Sequence, residues 1–150
     1  MSKPAERPSL AVDLLKRLYS AGPYAGGDLD TIRNEVLAPD VVWTIPGRHP
    51  LAGPKHGVDE ILAYFLEASK SNIKVDVLFM AGDDTQVVEV HRGWGKTDKA
   101  SMDQLFVLYG RVKNGRLAEV TAFAADQDQI DDFFCANYSL APIPDRLARQ

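Results

Sequence analysis

The segment Thr85–Arg92 places an acid and a base two positions apart. Side chains alternate between the two faces of an extended strand, so Glu89 and His91 share one face with Val87. A carboxylate beside an imidazole can hold it in one tautomer and tune it near neutral pH, which suits a general base that removes a proton next to a carbonyl group. The alternative is that this face meets solvent while Val88 and Val90 face the core.

Asp126 is a second acid that could join this pair. In a regular strand it shares a face with Ala122 and Ala124, and from there it could reach the mouth of a pocket. The alternative is that Asp126 caps a final helix, because Asp is a favoured N-cap and the apolar run Ile130–Phe134 follows it.

Several aromatic residues could form the walls of a cavity for a flat or polycyclic ligand. Trp43 is the first choice, and the other candidates are Tyr19, Tyr64, Phe65 and Phe106. The alternative for each of them is ordinary core packing. Farther along, Asp103 and Gln104 are adjacent in a long strand-like segment, so alternation places one of the two on the inner face.

No cofactor or metal is expected. His49 and His56 lie in a loop and could form part of a lid or be exposed, but their spacing matches no common metal motif. Cys135 is the only cysteine, and the helical pattern around it predicts a packed core thiol rather than a nucleophile. The sequence also lacks a phosphate-binding loop, a nucleophile elbow and a nicotinamide fingerprint.

Helical periodicity predicts two amphipathic helices at the start of the chain and one shortly after. The first runs from a cap at Ser9 to about Ser20, the second from Asp28 or Asp30 to Ala38, where Pro39 ends it. A short strand, Asp40–Ile45, and a loop, Arg48–Gly57, precede the third helix, which begins at Asp59 and Glu60.

From Asn72 onward the hydrophobic period changes from 3.6 to 2, which predicts a meander of four antiparallel strands over 73–81, 85–93, 100–112 and 116–125. A short helix, Asp126–Ala136, follows. The fold class is therefore α+β, with helices packed on one face of a curved antiparallel sheet. We expect a flexible N-terminus over 1–8, a single domain over 9–141 and a polar tail over 142–150.

The composition argues against several kinds of partner. The 150 residues carry a net charge of −4 with scattered basic residues, so nucleic acid is not an expected partner. No window approaches the roughly 20 apolar residues of a membrane span, and the N-terminus has no apolar targeting region. The expected setting is cytoplasmic.

Two parts of the chain carry motifs of a known family. The first part comprises Leu37–Trp43, Ile45–Gly47, Pro50–Gly53 and Gly57–Ile61, and the second comprises Val112–Glu119 and Asp126–Gln127. In order and spacing these motifs resemble the SnoaL-like polyketide cyclases of the nuclear transport factor 2-like superfamily. The resemblance implies a cone-shaped α+β barrel in which three helices from the N-terminal half pack over the sheet. The superfamily includes ketosteroid isomerases, epoxide hydrolases and proteins without catalytic activity.

The resemblance also carries expectations about individual positions. Epoxide-hydrolase relatives have polar catalytic residues at this two-residue spacing on the comparable strand, whereas the acid that relatives carry on the last strand is matched here by Ala122. The hairpin alignment turns Gln104 and Phe106 inward. It leaves Leu105 and its alternating neighbours on an apolar outer face, which we expect to form a homodimer surface.

These observations favour a cofactor-independent enzyme that isomerises or cyclises a small hydrophobic carbonyl compound. His91 would be the base, Glu89 would orient it, and Asp126 or Gln104 would donate a hydrogen bond to the enolate oxygen. The alternatives are an epoxide hydrolase that uses the same residues and a non-catalytic protein that binds a small ligand or dimerises.

Overall fold

The computed structural model describes residues 9–138, in which four helices and six strands form one α+β unit. The expected tail over 142–150 and the expected N-terminal segment over 1–8 lie outside these residues. The elements in chain order are α1 Leu10–Ser20, α2 Leu29–Thr31 continued by a π-helical turn Ile32–Val36, β1 Leu37–Ile45, β2 Gly53–His56, α3 Val58–Ser69, β3 Lys74–Gly82, β4 Gln86–Lys96, β5 Ser101–Lys113, β6 Arg116–Ala124 and α4 Gln127–Asn137.

The helices begin where the sequence supplies caps. The Ser9 side chain accepts a hydrogen bond from the backbone N–H of Val12, and the Asp28 side chain accepts one from that of Thr31. The side chains of Leu14, Leu15 and Leu18 on α1 are buried, as the helical spacing predicts. None of the helices in the described part of the chain has the length and apolar character needed to cross a bilayer.

The six strands form one open sheet in the order β2-β1-β6-β5-β4-β3. The strands β3 to β6 form the predicted antiparallel meander, and its β5–β6 turn places Asn114 and Gly115 at φ values of 52° and 76°. β1 joins the sheet through a parallel pairing with β6. Register shifts in β1, β3 and β6 mark bulges, which bend strands locally.

Three local predictions need correction. The loop predicted over Arg48–Gly57 contains a strand, β2, that pairs with β1. The second helix ends at Val36 and β1 begins at Leu37, three residues earlier than predicted, because this strand pairs with β6 from its first residue. Cys135 is exposed rather than packed in the core.

The core lies between the concave face of the sheet and the helices. The largest of its fully buried side chains come from both layers, and they are Trp43, Phe65, Phe133 and Phe134. A sheet with helices on one face buries that face and leaves the other to solvent or to a partner. Burial alternates along β4 and β5, so one face of each strand points into the core.

Candidate functional site

A small cavity of about 40 Å³ lies between the sheet and the helices. This volume is below the roughly 300–1,000 Å³ of typical small-molecule sites, so a ligand of ordinary size enters only if side chains of the wall move. Its walls are mainly apolar and come from every layer of the fold: Tyr24, Trp43, Ile45, Pro46, Tyr64, Ile73, Val75, His91, Gly93, Met102, Phe106, Leu108, Ala122, Ile130 and Phe134. The arrangement suits a flat, largely apolar ligand.

β4 turns its polar face into this core. Glu89 and His91 are buried, with exposed fractions of 0% and 6%, whereas Val88 on the opposite face is 40% exposed. The alternative in which the valine face is the core is therefore wrong. Tertiary packing determines the choice, because α1 and the rest of the core cover the Glu89 and His91 face.

Glu89 and His91 form a hydrogen-bonded pair inside the fold. His91 Nδ1 lies 2.9 Å from Glu89 Oε1 and 3.0 Å from Oε2. An ionised carboxylate only accepts hydrogen bonds, so this contact places the imidazole proton on Nδ1 and leaves the Nε2 lone pair free. A buried carboxylate without such partners would be costly to the fold.

Tyr19 completes the cluster from a different element. Its hydroxyl donates a hydrogen bond of 2.8 Å to Glu89 Oε2 and lies 3.3 Å from His91 Nδ1, although Tyr19 and Glu89 are 70 positions apart in the chain. Burial, and then the neighbouring Glu89, raise the pKa of Tyr19 well above its ordinary value, so the phenol remains a donor. Tyr19 was expected to be a cavity wall, but it does not line the cavity and instead donates a hydrogen bond to Glu89.

The His91 ring is held on both sides by aromatic residues. Phe106 stacks on it with ring centres 5.2 Å apart and an interplanar angle of 17°, and Tyr19 meets it edge-on. Within residues 9–138, no group makes a hydrogen bond to Nε2, and no buried side-chain nitrogen lacks a partner. Nε2 is therefore open to the cavity, where it can accept a proton from a bound molecule.

The predicted wall residues divide into two groups. Trp43, Tyr64 and Phe106 line the cavity, as expected. Phe65 does not line it; this side chain is fully buried and packs edge-on against Trp43, with ring centres 5.4 Å apart. Ala122, where the resemblance implied an acid, does line the cavity, so that position contributes a methyl group.

Asp126 and Gln104 make their hydrogen bonds at the start of α4 and do not line the cavity. The Asp126 carboxylate accepts the backbone N–H of Gln129 and so caps α4. The Gln104 side chain bonds the backbone of Asp126 in both directions, at 2.9 Å each, and also bonds Gln129. The capping alternative for Asp126 is therefore correct, and neither residue is placed to contact a ligand.

Tyr24 lines the cavity, although it was not among the residues predicted to do so. It follows α1 in a stretch of turns rich in glycine, where a lone aromatic carries no periodic pattern. Its ring packs edge-on against both Tyr64 and Phe65. The only hint in the sequence was an aromatic residue in an otherwise small and polar turn.

His49 is buried in the loop after β1, in contrast to the expectation of an exposed loop histidine. Its Nε2 is 2.9 Å from the carbonyl oxygen of Pro46, and its Nδ1 accepts the backbone N–H of Leu51. Burial lowers the pKa of His49 below its ordinary value. The ring packs on Phe134, so His49 fixes the loop against α4.

No cluster of three or more metal-ligating side chains occurs within residues 9–138. The polar groups of the cavity are instead imidazole, phenol and indole. These groups can donate or accept hydrogen bonds, the imidazole can also accept a proton, and the rest of the wall is mainly apolar.

Comparison with known proteins places the architecture in a family. Residues 15–120 match the SnoaL-like domain family. An uncharacterized protein of Mycobacterium tuberculosis is 32% identical over 129 residues, which are 82% of this chain and 95% of that protein. Bal32a, from a soil-derived mobile gene cassette, has a TM-score of 0.76 and 25% identity over 83% of this chain and 96% of its own.

A third comparison concerns the fold alone. An NTF2-like protein of unknown function from Burkholderia pseudomallei superposes with a TM-score of 0.73 at 23% identity, covering 86% of this chain and all (100%) of its own. The resemblance seen in the sequence and the cone-shaped α+β fold that it implied are therefore confirmed.

Proposed function

The chain belongs to the SnoaL-like domain family, and we propose that it is a cofactor-independent enzyme that acts on a small hydrophobic carbonyl compound. The observation that carries this proposal is the Glu89 and His91 pair, buried at the wall of an apolar cavity with Nε2 of His91 open to it. A hydrogen-bonded acid and base beside a cavity is an arrangement found at catalytic sites.

His91 is the general base of the proposed reaction. Its Nε2 takes the proton from the carbon next to the carbonyl, the C–H electron pair forms the enolate double bond, and the carbonyl electrons move to oxygen. The Glu89 carboxylate stabilises the imidazolium that results. In an isomerisation, the imidazolium then returns the proton to a different carbon and the carbonyl re-forms. In a cyclisation, the enolate carbon attacks a second carbonyl, and the imidazolium gives its proton to the alkoxide that forms.

The test does not require the natural substrate. Small bicyclic ketones such as 1-tetralone and 1-indanone are incubated with the protein in D₂O, and incorporation of deuterium next to the carbonyl is followed by NMR. A positioned base contributes about 10²- to 10⁴-fold, so we expect His91→Ala to lower the exchange rate by that factor. His56→Ala is the matched control, because His56 is exposed on β2.

Either of two other results would contradict this proposal. If the ketones bind but exchange no faster with the protein than in buffer, the chain is a binding protein of the same fold. If styrene oxide is hydrolysed in a reaction that depends on His91 while no ketone exchanges deuterium, the base activates water and the protein is an epoxide hydrolase.

We also propose that two copies pair through the outer face of the sheet. Phe79, Val88, Leu105 and Phe123 lie on adjacent strands there and are 40–56% exposed. Monomers seldom leave such a contiguous apolar surface in water. The face is bordered by an ion pair between Arg92 and Asp103, with N–O distances of 2.7 and 2.8 Å, a polar rim of the kind found around interfaces.

Analytical ultracentrifugation measures this pairing directly. Phe123→Glu places a charge at the centre of the face, and we expect it to convert a dimer into a monomer. Leu66→Glu is the control, because Leu66 is 51% exposed on α3 and lies away from the sheet face. A wild-type protein that sediments as a monomer at high concentration contradicts the proposal.

A further inference from the structure

The enolate oxygen in the proposed reaction needs a hydrogen-bond donor, and the two residues first expected to supply one do not face the cavity. Gln104 and Asp126 are occupied at the start of α4. Among the residues that line the cavity, apart from His91, the side chains with a polar hydrogen are Tyr24, Tyr64 and Trp43. The candidates for this role are therefore two phenols and one indole, of which the indole of Trp43 belongs to β1.

Tyr24 and Tyr64 belong to the helical layer. Tyr24 follows α1 and Tyr64 is on α3, whereas His91 and Phe106 belong to the sheet. The two tyrosine rings meet edge-on, with centres 6.4 Å apart and an angle of 88°. Both phenols and His91 line the same cavity, so a molecule bound there can meet the base and the hydroxyls together.

The hydroxyls of Tyr24 and Tyr64 interact with each other. Within residues 9–138, neither hydroxyl bonds a backbone carbonyl or a carboxylate, in contrast to Tyr19, which is committed to Glu89. Burial raises the pKa of Tyr64 to about 12 and raises that of Tyr24 well above its ordinary value, and the nearby partner hydroxyl adds to the shift of Tyr24. Both phenols therefore keep their protons at any physiological pH.

We propose that the hydroxyls of Tyr24 and Tyr64 form the oxygen-binding half of the site, donating hydrogen bonds to the ligand carbonyl while His91 approaches the neighbouring carbon. This proposal rests on the proposed function and specifies its ligand class: an uncharged, mainly apolar ring compound whose ketone oxygen is directed toward the helices. Carboxylates and phosphates are excluded, because no cationic Lys or Arg side chain lines the cavity.

The test compares two ligands that differ only in the carbonyl group, 1-tetralone and tetralin. Calorimetric titration gives the ratio of their affinities for the wild type, for Tyr24→Phe, for Tyr64→Phe and for the double variant. Each substitution removes one hydroxyl and keeps the ring. We expect each single substitution to lower the ratio about 2- to 10-fold, the usual net contribution of a hydrogen bond.

A spectroscopic measurement reports on the same contact without relying on affinity. The carbonyl stretching frequency of bound ¹³C-labelled 1-tetralone should be lower than in hexane, and it should rise in the double variant. Tyr109→Phe is the matched control, because its hydroxyl bonds Gln86 on the outer face of the sheet. Thermal melting of each variant confirms that it is folded.

The outcomes separate this proposal from the proposed function. Loss of carbonyl preference in the Tyr24 and Tyr64 variants supports the oxygen-binding pair, even if the wild type catalyses no deuterium exchange and the enzyme proposal fails. An affinity ratio and a stretching frequency that stay at wild-type values in the double variant overturn the pair. A wild type that binds tetralin as well as 1-tetralone, or binds neither, overturns it too.

Discussion

The substitution Glu89→Gln tests how much the carboxylate contributes by orienting His91, because His91 itself is kept. The change keeps the size of the side chain and allows the contact with Tyr19, but it removes the charge that faces Nδ1 of His91 at 2.9 and 3.0 Å. A Gln side chain can offer its N–H₂ group or its oxygen to the imidazole, so it no longer dictates which ring nitrogen carries the proton.

The expected loss follows from the lost contact. Hydrogen bonds to charged groups contribute about 1.5–3 kcal/mol, and each 1.36 kcal/mol corresponds to a factor of ten in rate. We therefore expect Glu89→Gln to slow deuterium exchange of a reactive ketone roughly 10- to 150-fold. Folding stability should change by less than about 1 kcal/mol, because burying a neutral amide in place of a carboxylate removes a desolvation cost while weakening the bonds.

Two measurements check this prediction. The exchange rate is compared with that of Glu119→Gln, an exposed carboxylate on β6 that should have no effect. Two-dimensional ¹⁵N NMR of the neutral imidazole should show a single tautomer with the proton on Nδ1 of His91 in the wild type, and a mixture in the variant. A variant that keeps both the single tautomer and the wild-type rate would refute the orienting role of Glu89.

Two further predictions concern packing and pH. A Cβ at Gly93 would lie 2.7 Å from Phe106 Cε2, which is too close for two carbon atoms. Gly93→Ala should therefore displace the Phe106 ring from the imidazole and lower the free energy of unfolding by about 1–3 kcal/mol. Urea denaturation measures this change, and an unchanged midpoint contradicts the prediction. The buried His49 has a lowered pKa, so the unfolded state binds more protons once the pH falls below about 6.5. The free energy of unfolding should therefore decrease as the pH is lowered through that range. The decrease should be less steep in His49→Gln. The control His56→Gln, at an exposed site, should match the wild type.

The sequence determined the order and type of most elements because the relevant patterns are local. Helical spacing located α1 and α3, and the change to alternating apolar residues located the four strands of the meander. The turn at Asn114 and Gly115 was predictable because these residues adopt positive φ at little cost. The short strand β2 was not predictable, since Gly53–His56 has no apolar alternation and pairs only because β1 is beside it.

The candidate site was only partly predictable. Strand alternation alone placed Glu89 and His91 on one face, and the same rule placed Val88 and Val90 on the other. Alternation is a property of one strand, and it cannot say which face is covered. That choice depends on which surface of the sheet the helices pack against, and only the tertiary structure shows it.

Contacts between distant parts of the chain were decided entirely by the fold. Tyr19 reaches Glu89 across 70 positions, and Tyr24 enters the cavity from a turn with no pattern of its own. The sequence thus determined which chemical groups were available and which neighbours shared a strand face. Packing of the helices over the sheet decided which groups meet, because burial and contact arise from the whole chain rather than from any one segment.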